Sequence, residues 1–325
     1  MSGPRILFLP DFGASVGGGH VMRCLTLAGE LMSRGAVCAF AVEADGARVI
    51  ETFAPGTPVV DAGWAADIAV VDGYDYTTAQ ERVLVSRGLK VAAFDDILRP
   101  HDCDLIIDSG LGKTEGDYPG RARVLAGAEF SPVRPEFVAL RDEVLPRRAS
   151  GRGGRVLVSL GLTDVGGITS RVLRILSALP GWDAMDIVLG SGAASLSDAR
   201  ALAASDPRIT LHVETRDMAA LTAAADIAVG AGGGSQWERS VLGLPTLLLV
   251  LVPNQAATAV QLADLGAALV LDVAAADFDA AFTSAFARLA TDRDLRRSIS
   301  ARAAQVFDGR GAARVAEAVM ALVPA

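Results

Sequence analysis

Gly17-Gly18-Gly19-His20, followed by Arg23, carries the densest chemistry in the sequence. Consecutive glycines let a backbone approach a ligand closely and present amide N–H groups where a helix begins. The spacing is not a dinucleotide fingerprint, because the sixth position from Gly17 is Met22, where G-x-G-x-x-G requires glycine. His20 falls at the start of the following helix, where the positive end of the dipole disfavours imidazolium. A neutral imidazole there can act as a general base, and an ordinary capping or packing histidine fits the same position.

Further along, Ser159-Leu160-Gly161-Leu162-Thr163-Asp164 joins a strand to a helix with residues small enough to cradle an anion. A plain β–α turn would have the same composition. Gly230-Ala231-Gly232-Gly233-Gly234-Ser235 is richer, since a buried strand runs into glycines and then into a helix. That order supplies free amides and a dipole suited to a diphosphate. Glu238, one turn into the helix, is placed to accept hydrogen bonds from ribose hydroxyls. Asn254 and Gln255 follow the next strand as polar residues at its end.

Other segments look chemical but lack a necessary part. Gly112-Lys113-Thr114 resembles the end of a phosphate-binding loop, yet Ile107 stands where its first glycine belongs. His101-Asp102-Cys103-Asp104 has metal-ligand residue types without a second cluster to complete a site, which predicts a solvated turn. Asp95-Asp96 could hold Mg²⁺ at a strand end or form a helix-capping turn. Ser235 lacks the G-x-S-x-G context of a serine hydrolase. No metal and no cofactor is expected.

The elements that must position these residues follow from hydrophobic patterning. Continuous aliphatic runs at 6–9, 37–42, 68–71, 91–94 and 105–107 predict strands buried on both faces. A second set lies at 155–159, 185–189, 209–212, 227–229, 246–249 and 269–271, with a helical tail from about 276. A helix over 20–34 follows the first run, with Val21, Leu25, Ala28 and Met32 on one face. Strands alternating with helices predict two α/β domains, 1–148 and 155–325. Residues 141–154, with clustered charge, Pro, Ser and Gly, read as a surface linker. Two such domains leave a cleft, and open sheets bind ligands beyond the carboxyl ends of their strands.

Composition narrows the function. Hydrophobic residues make up 51% of the 325 and aromatics only 5%, enough for two ordinary cores and too much for a disordered chain. A net charge of −8 suits a nucleic-acid binder poorly. The longest aliphatic stretch, 247–252, is far short of the ~20 residues of a membrane helix. The apolar run at 6–9 is too brief for a secretory leader. Cys24, Cys38 and Cys103 form an odd set with no close pairing, which argues against a disulfide framework. These features predict a cytoplasmic protein with a small-molecule partner and no stable membrane association.

Residues Gly17 to Ala28 closely resemble the G-x-G-H-x-M-R-x-x-x-L-A motif of the pseudaminic-acid pathway hydrolases, which act on UDP-2,4-diacetamido-2,4,6-trideoxy-β-L-altropyranose. Val71-Asp72-Gly73-Tyr74 is similar to that family's V-D-x-Y, and Phe94-Asp95-Asp96 to its strand-end aspartate pair. His101 to Leu105, Val133 to Arg141, Gly232 to Glu238, Leu242 to Pro245 and Asn254-Gln255 resemble further signatures in the same order. Departures occur at Leu9-Pro10-Asp11-Phe12-Gly13, where the family has R-x-D-x-S, and at Gly161-Leu162-Thr163-Asp164, where it has G-G-x-D.

The resemblance implies the GT-B fold of MurG-type glycosyltransferases, two Rossmann-like domains whose parallel sheets face a nucleotide-sugar cleft. It implies metal-independent hydrolysis in pseudaminic (nonulosonic) acid biosynthesis, for flagellin or surface glycosylation. His20 would deprotonate the attacking water, and Asp11 would orient His20 or the water. Backbone amides from Gly233 to Ser235 would take charge from the leaving diphosphate, Glu238 would hold ribose, and Tyr74 with Asn254 would face sugar or phosphate. Gly17, Gly18, Gly19, Arg23, Gly161, Gly232, Gly234 and Gln255 complete the implied substrate-binding set. A glycosyltransferase, a sugar-nucleotide 2-epimerase and a non-catalytic UDP-sugar-binding module are the alternatives.

Overall fold

Parallel strands covered by helices bury both faces, which is why their sequences lack polar alternation. The computed structural model describes residues 3–13 and 18–323. The chain divides into two compact units, unit 1 (Met1–Arg134 with Gly309–Ala325) and unit 2 (Pro135–Asp308).

Unit 1 begins with β1 (Arg5–Pro10), α1 (Gly19–Ser33), β2 (Val37–Phe40), α2 (Ala44–Phe53) and β3 (Ile68–Asp72). It continues with α3 (Thr78–Ser86), β4 (Lys90–Phe94), β5 (Leu105–Asp108) and β6 (Arg123–Ala126). The six strands form a parallel sheet in the order β2-β1-β3-β4-β5-β6. The chain leaves β1 toward β2 and returns to β3 on the opposite side of β1. Ligands of open α/β sheets bind beyond the strand ends at such a reversal, here after β1 and β3.

Unit 2 opens with α4 (Pro135–Arg148), β7 (Arg155–Ser159), α5 (Ile168–Ser177), β8 (Ala184–Leu189), α6 (Leu196–Ser205) and β9 (Ile209–Val213). Then come α7 (Met218–Ala224), β10 (Ile227–Ala231), α8 (Ser235–Val241), β11 (Thr246–Val250), α9 (Ala256–Asp264), β12 (Leu269–Asp272), α10 (Phe278–Thr291) and α11 (Arg293–Val306). Its parallel sheet has the order β12-β11-β10-β7-β8-β9, so the reversal lies between β7 and β10. The Gly161 and Gly232 turns both leave the sheet there. Val158, Val229 and Leu249 of the strands pack with Leu176 and with Phe278, Phe282 and Phe286 of α10.

The last helix, α12 (Gly311–Met320), belongs to unit 1. Its Val315, Ala316 and Val319 enter the core of Ile6, Phe8, Val21 and Leu27. The second unit therefore ends at Asp308 and does not run to the end of the chain. No helix among the described residues is long and apolar enough to cross a membrane.

Residues 141–154, expected as a surface linker, are helical as far as Arg148. The expected boundary near 150 lies instead between Arg134 and Pro135. Arginine chemistry explains the difference. Arg141 donates to the carbonyls of Val241, Ala304 and Phe307, and Arg148 to those of Thr222, Ala225 and Leu242. These carbonyls lie where α7, α8 and α11 end and lack intrahelical donors. The helix docks by capping its neighbours, a mode invisible to apolar periodicity. Burial holds the Arg148 pKa down to about 10. Arg148→Ala is expected to destabilise the protein by about 2–4 kcal/mol, since several buried carbonyls lose their donor. Urea unfolding beside the wild type measures it, and an unchanged midpoint would refute the capping role.

Candidate active site

Asp72 ends β3 with its carboxylate buried, 1% exposed. Across the reversal, α1 presents His20, Arg23 and Cys24 on one face at helical spacing, and all three meet that carboxylate. His20 Nδ1 lies 2.5 Å from Asp72 Oδ1. Arg23 donates Nη2 to Oδ1 at 2.6 Å and Nε to Oδ2 at 2.9 Å. The opposite edge of the same guanidinium reaches Asp96 through Nη1 at 2.9 Å and Nη2 at 3.0 Å. Arg23 is thus a double fork between two carboxylates, and it lies 4.5 Å over the Phe94 ring.

The charges explain the protonation of the pair. Asp72, Arg23 and Asp96 together carry one negative charge, which an imidazolium at His20 neutralises. Burial opposes charge on both partners, but the Arg23 and His20 charges hold the Asp72 carboxyl well below the ordinary carboxylate range. For His20 burial again opposes the cation, yet the charge and hydrogen bond of Asp72 outweigh it and raise the pKa above 6.5. The helix dipole alone pointed the other way; a carboxylate at hydrogen-bond distance is the stronger effect. When neutral, the ring keeps its proton on Nδ1 facing Asp72 and its lone pair on Nε2. Nε2 has no hydrogen-bond partner among the described residues. Tyr74 meets the ring edge-on, centroids 4.7 Å apart at 81°.

Asp11, expected to orient His20 or the water, makes no hydrogen bond to the ring. Its backbone N–H donates to the Asp72 carbonyl at 2.8 Å, and its carboxylate lies against Gly73, where a Cβ would overlap it. Burial raises the Asp11 pKa, with repulsion from Asp72 and Asp75 adding to it and His20 opposing. Asp11 is a second carboxyl near the imidazole, and Asp72 is the one that holds it. The continuous apolar run ending in Asp72 was the available signal: an acid closing a fully buried strand beside the loop of interest. Gly18 and Gly19 precede His20, with open space around Gly19, and Gly17 lies outside the described residues.

The 101–104 segment is no solvated turn. The His101 side chain is 2% exposed, between Glu81 Oε1 at 2.9 Å from Nδ1 and Asp95 Oδ2 at 3.1 Å from Nε2. Arg99 also donates to Glu81, at 3.0 Å. Burial opposes charge on His101, but the hydrogen bonds to Asp95, Cys103 and Glu81 outweigh it and raise its pKa to about 10. Glu81, His101 and Cys103 offer ligand atoms within 4.8 Å of one another. Both imidazole nitrogens already face carboxylates, Glu81 and Asp95. The cluster instead fixes the segment after β4, where Asp95 accepts from the Ile97 and Arg99 amides and its neighbour Asp96 faces Arg23.

In unit 2 the Gly161 turn is pinned by Asp164, which accepts from Thr169 N at 3.0 Å, Thr169 Oγ1 at 2.6 Å and Ser195 N at 2.9 Å. Gly161 has φ +104 with open space around it, a conformation that favours glycine. On the adjacent strand end, Gly232 packs under Gln255, and Gln255 Oε1 accepts from the Leu251 amide at 3.0 Å. Gln255 thus braces two strand ends. Gly234 is exposed, Ser235 and Glu238 are half-buried on α8, and Asn254 is exposed.

No family model matches the chain. It is 30% identical over 200 residues to the spore coat polysaccharide biosynthesis protein SpsG of Bacillus subtilis, covering 60% of this chain and 58% of that protein. The match thus spans little more than half the length of that relative. It is 22% identical over 280 residues to the UDP-2,4-diacetamido-2,4,6-trideoxy-β-L-altropyranose hydrolase of Campylobacter jejuni, covering 81% of this chain and 97% of that one. Among solved structures, Acinetobacter baumannii MurG is similar with a TM-score of 0.68 at 15% identity, over 97% of this chain and 99% of that one. The UDP-GlcNAc 2-epimerase from Neisseria meningitidis gives 0.67 at 11% identity, over 98% and 100%. The fold is GT-B.

Within this GT-B chain, unit 1 brings together His20, Arg23, Tyr74 and Asp11, and adds Asp72 and Asp96. Unit 2 brings together Gly232, Gly233 and Gln255. In chemical terms, the first set can hold a proton acceptor in one tautomer. The second is a glycine turn that leads from β10 into α8, packed beside the residues that follow β11.

Proposed function

We propose that the protein is a UDP-sugar hydrolase that releases UDP from a UDP-linked 2,4-diacetamido-2,4,6-trideoxyhexose, the L-altro isomer, in nonulosonic acid biosynthesis. The observation that carries this reading is the buried His20–Asp72 pair, with Nδ1 committed to the carboxylate and Nε2 available. The similarity to the Campylobacter hydrolase over 81% of the chain supports the choice of substrate.

In the proposed reaction, Nε2 of neutral His20 takes a proton from water as the water oxygen bonds to the anomeric carbon. The bond from that carbon to the diphosphate oxygen breaks, and UDP departs with the electron pair. The proton stays on His20, whose imidazolium is stabilised by Asp72, and is then released to solvent. The products are the free sugar and UDP. The 233–235 amides take up charge on the leaving diphosphate, Glu238 holds ribose, and Tyr74 and Asn254 contact sugar or phosphate.

The GT-B neighbours favour a second reading, transfer of the sugar to an acceptor. Incubation of purified protein with the UDP-sugar and no acceptor, followed by phosphorus and proton NMR, separates the two. UDP and free sugar appearing in equal amounts is the expected result, and UDP formation that requires an acceptor would refute hydrolysis. The proposed chemistry uses no metal, so the rate is expected to be unchanged after EDTA treatment. A rate lost to EDTA and restored by a divalent cation would overturn that part.

A further inference from the structure

Arg239 is a buried charge that the proposed reaction leaves unused. It lies in α8, 3% exposed. Its guanidinium donates to Ser235 Oγ at 3.0 Å, the Ala231 carbonyl at 2.5 Å and Gln236 Oε1 at 2.9 Å. All three acceptors are neutral, and Nε has no partner. No carboxylate among the described residues hydrogen-bonds to it. A cation withdrawn from water with no hydrogen-bonded carboxylate is costly: burial brings its pKa down to about 10, with the charge of Glu238 opposing only in part.

Its position suggests what offsets that cost. The guanidinium lies directly against Gly230, where a Cβ would overlap it, so the missing side chain in β10 is what admits the charge behind the 231–235 turn. It binds that turn at both ends, at the Ala231 carbonyl and at the Ser235 hydroxyl. A hydroxyl that accepts from a guanidinium keeps its own proton to donate elsewhere. Ser235 is half-buried, and its proton has no acceptor among the described residues.

We propose that Arg239 is a built-in counter-charge for a nucleoside diphosphate at the 231–235 turn, a positioning residue acting through Ser235 and the turn without touching the ligand. Its field attracts the diphosphate, and its hydrogen bond turns the Ser235 hydroxyl into a donor toward it. Selectivity for UDP over uridine then depends on Arg239. The inference rests on the UDP-sugar reading and extends it to a residue that no motif assigned.

Calorimetry with UDP and with uridine on the full-length wild type, Arg239→Met and Arg239→Lys tests it. Arg239→Met keeps much of the side-chain volume but takes the donor from the Ala231 carbonyl and Gln236 Oε1, so its thermal midpoint is expected to fall, and the affinities are compared well below that midpoint. Its UDP affinity is expected to fall about 10- to 100-fold while uridine changes less than about threefold. Arg239→Lys, which keeps the charge, should recover most of the UDP-to-uridine ratio. Equal losses for both ligands, or an unchanged ratio, would overturn the inference while leaving the UDP-sugar reading intact. A wild type that binds neither ligand sinks that reading, and the inference with it. Should Arg239→Met fail to fold, Arg239→Gln, which removes the charge and keeps a donor, replaces it: a UDP-specific loss of about tenfold or more supports the counter-charge, and a ratio within about threefold of wild type overturns it.

Discussion

Asp72→Asn is expected to lower kcat for UDP-sugar hydrolysis by about 10³–10⁴-fold, with UDP affinity nearly unchanged. An asparagine amide can present N–H to the imidazole and leave the lone pair on Nδ1, the wrong nitrogen for the proposed water. The substitution also removes the charge that stabilises the imidazolium formed as water is deprotonated. The pH profile separates this from simple misfolding. In the wild type the base is active when neutral, so the rate rises with pH through an apparent pKa above 6.5, the direction in which Asp72 moves His20. In the asparagine variant the acid limb moves to lower pH while the plateau falls. An unshifted limb would mean that Asp72 does not tune the catalytic base.

The same pair links stability to pH. His20 has a folded pKa above its unfolded value, so its contribution to stability is complete below 6.5 and is lost as pH rises through the folded value. Asp72 has a depressed pKa, and its contribution is lost only as pH falls below the ordinary carboxylate range. The best pH for the rate is thus on the alkaline side of the region where the His20–Asp72 pair stabilises the fold most.

His20→Ala is the second large effect, about 10²–10⁴-fold in kcat, the usual size of a general-base contribution. Binding of UDP to unit 2 is expected to stay within a few-fold, because the uridine and diphosphate contacts proposed there use no residue of unit 1. Single-turnover measurement of UDP release on the variant, beside calorimetry with UDP, checks both parts. Near-wild-type release by the alanine variant would remove His20 from the mechanism and favour the reading of it as a packing residue.

Much of this site was legible in the residues themselves. Strands read as continuous apolar runs because both faces are covered, so the runs at 68–71 and 227–229 lie within β3 and β10. Strand β6 was missed, since Arg123–Ala126 is a short edge strand with one fully buried position and little apolar signal. His20 stood out by its place after glycines. Its partner did not, because Asp72 is fifty-two residues away and meets it only when β3 returns beside β1. The resemblance gave the orienting part, for His20 or the water, to Asp11, which lies near the ring without a hydrogen bond to it.

Sequence alone determined the plan of two parallel α/β sheets, the glycine turns and the place of His20 after one of them, because these depend on local backbone freedom and burial periodicity. Tertiary structure decided which acid holds that histidine, which way its pKa moves and that His101 is buried between two carboxylates. It also decided that Arg141 and Arg148 make a docked helix of an expected linker. Each of these outcomes depends on long-range electrostatics, in which a charge and its partner are brought together by the sheet order or by packed helix ends. No spacing along the chain encodes that distance.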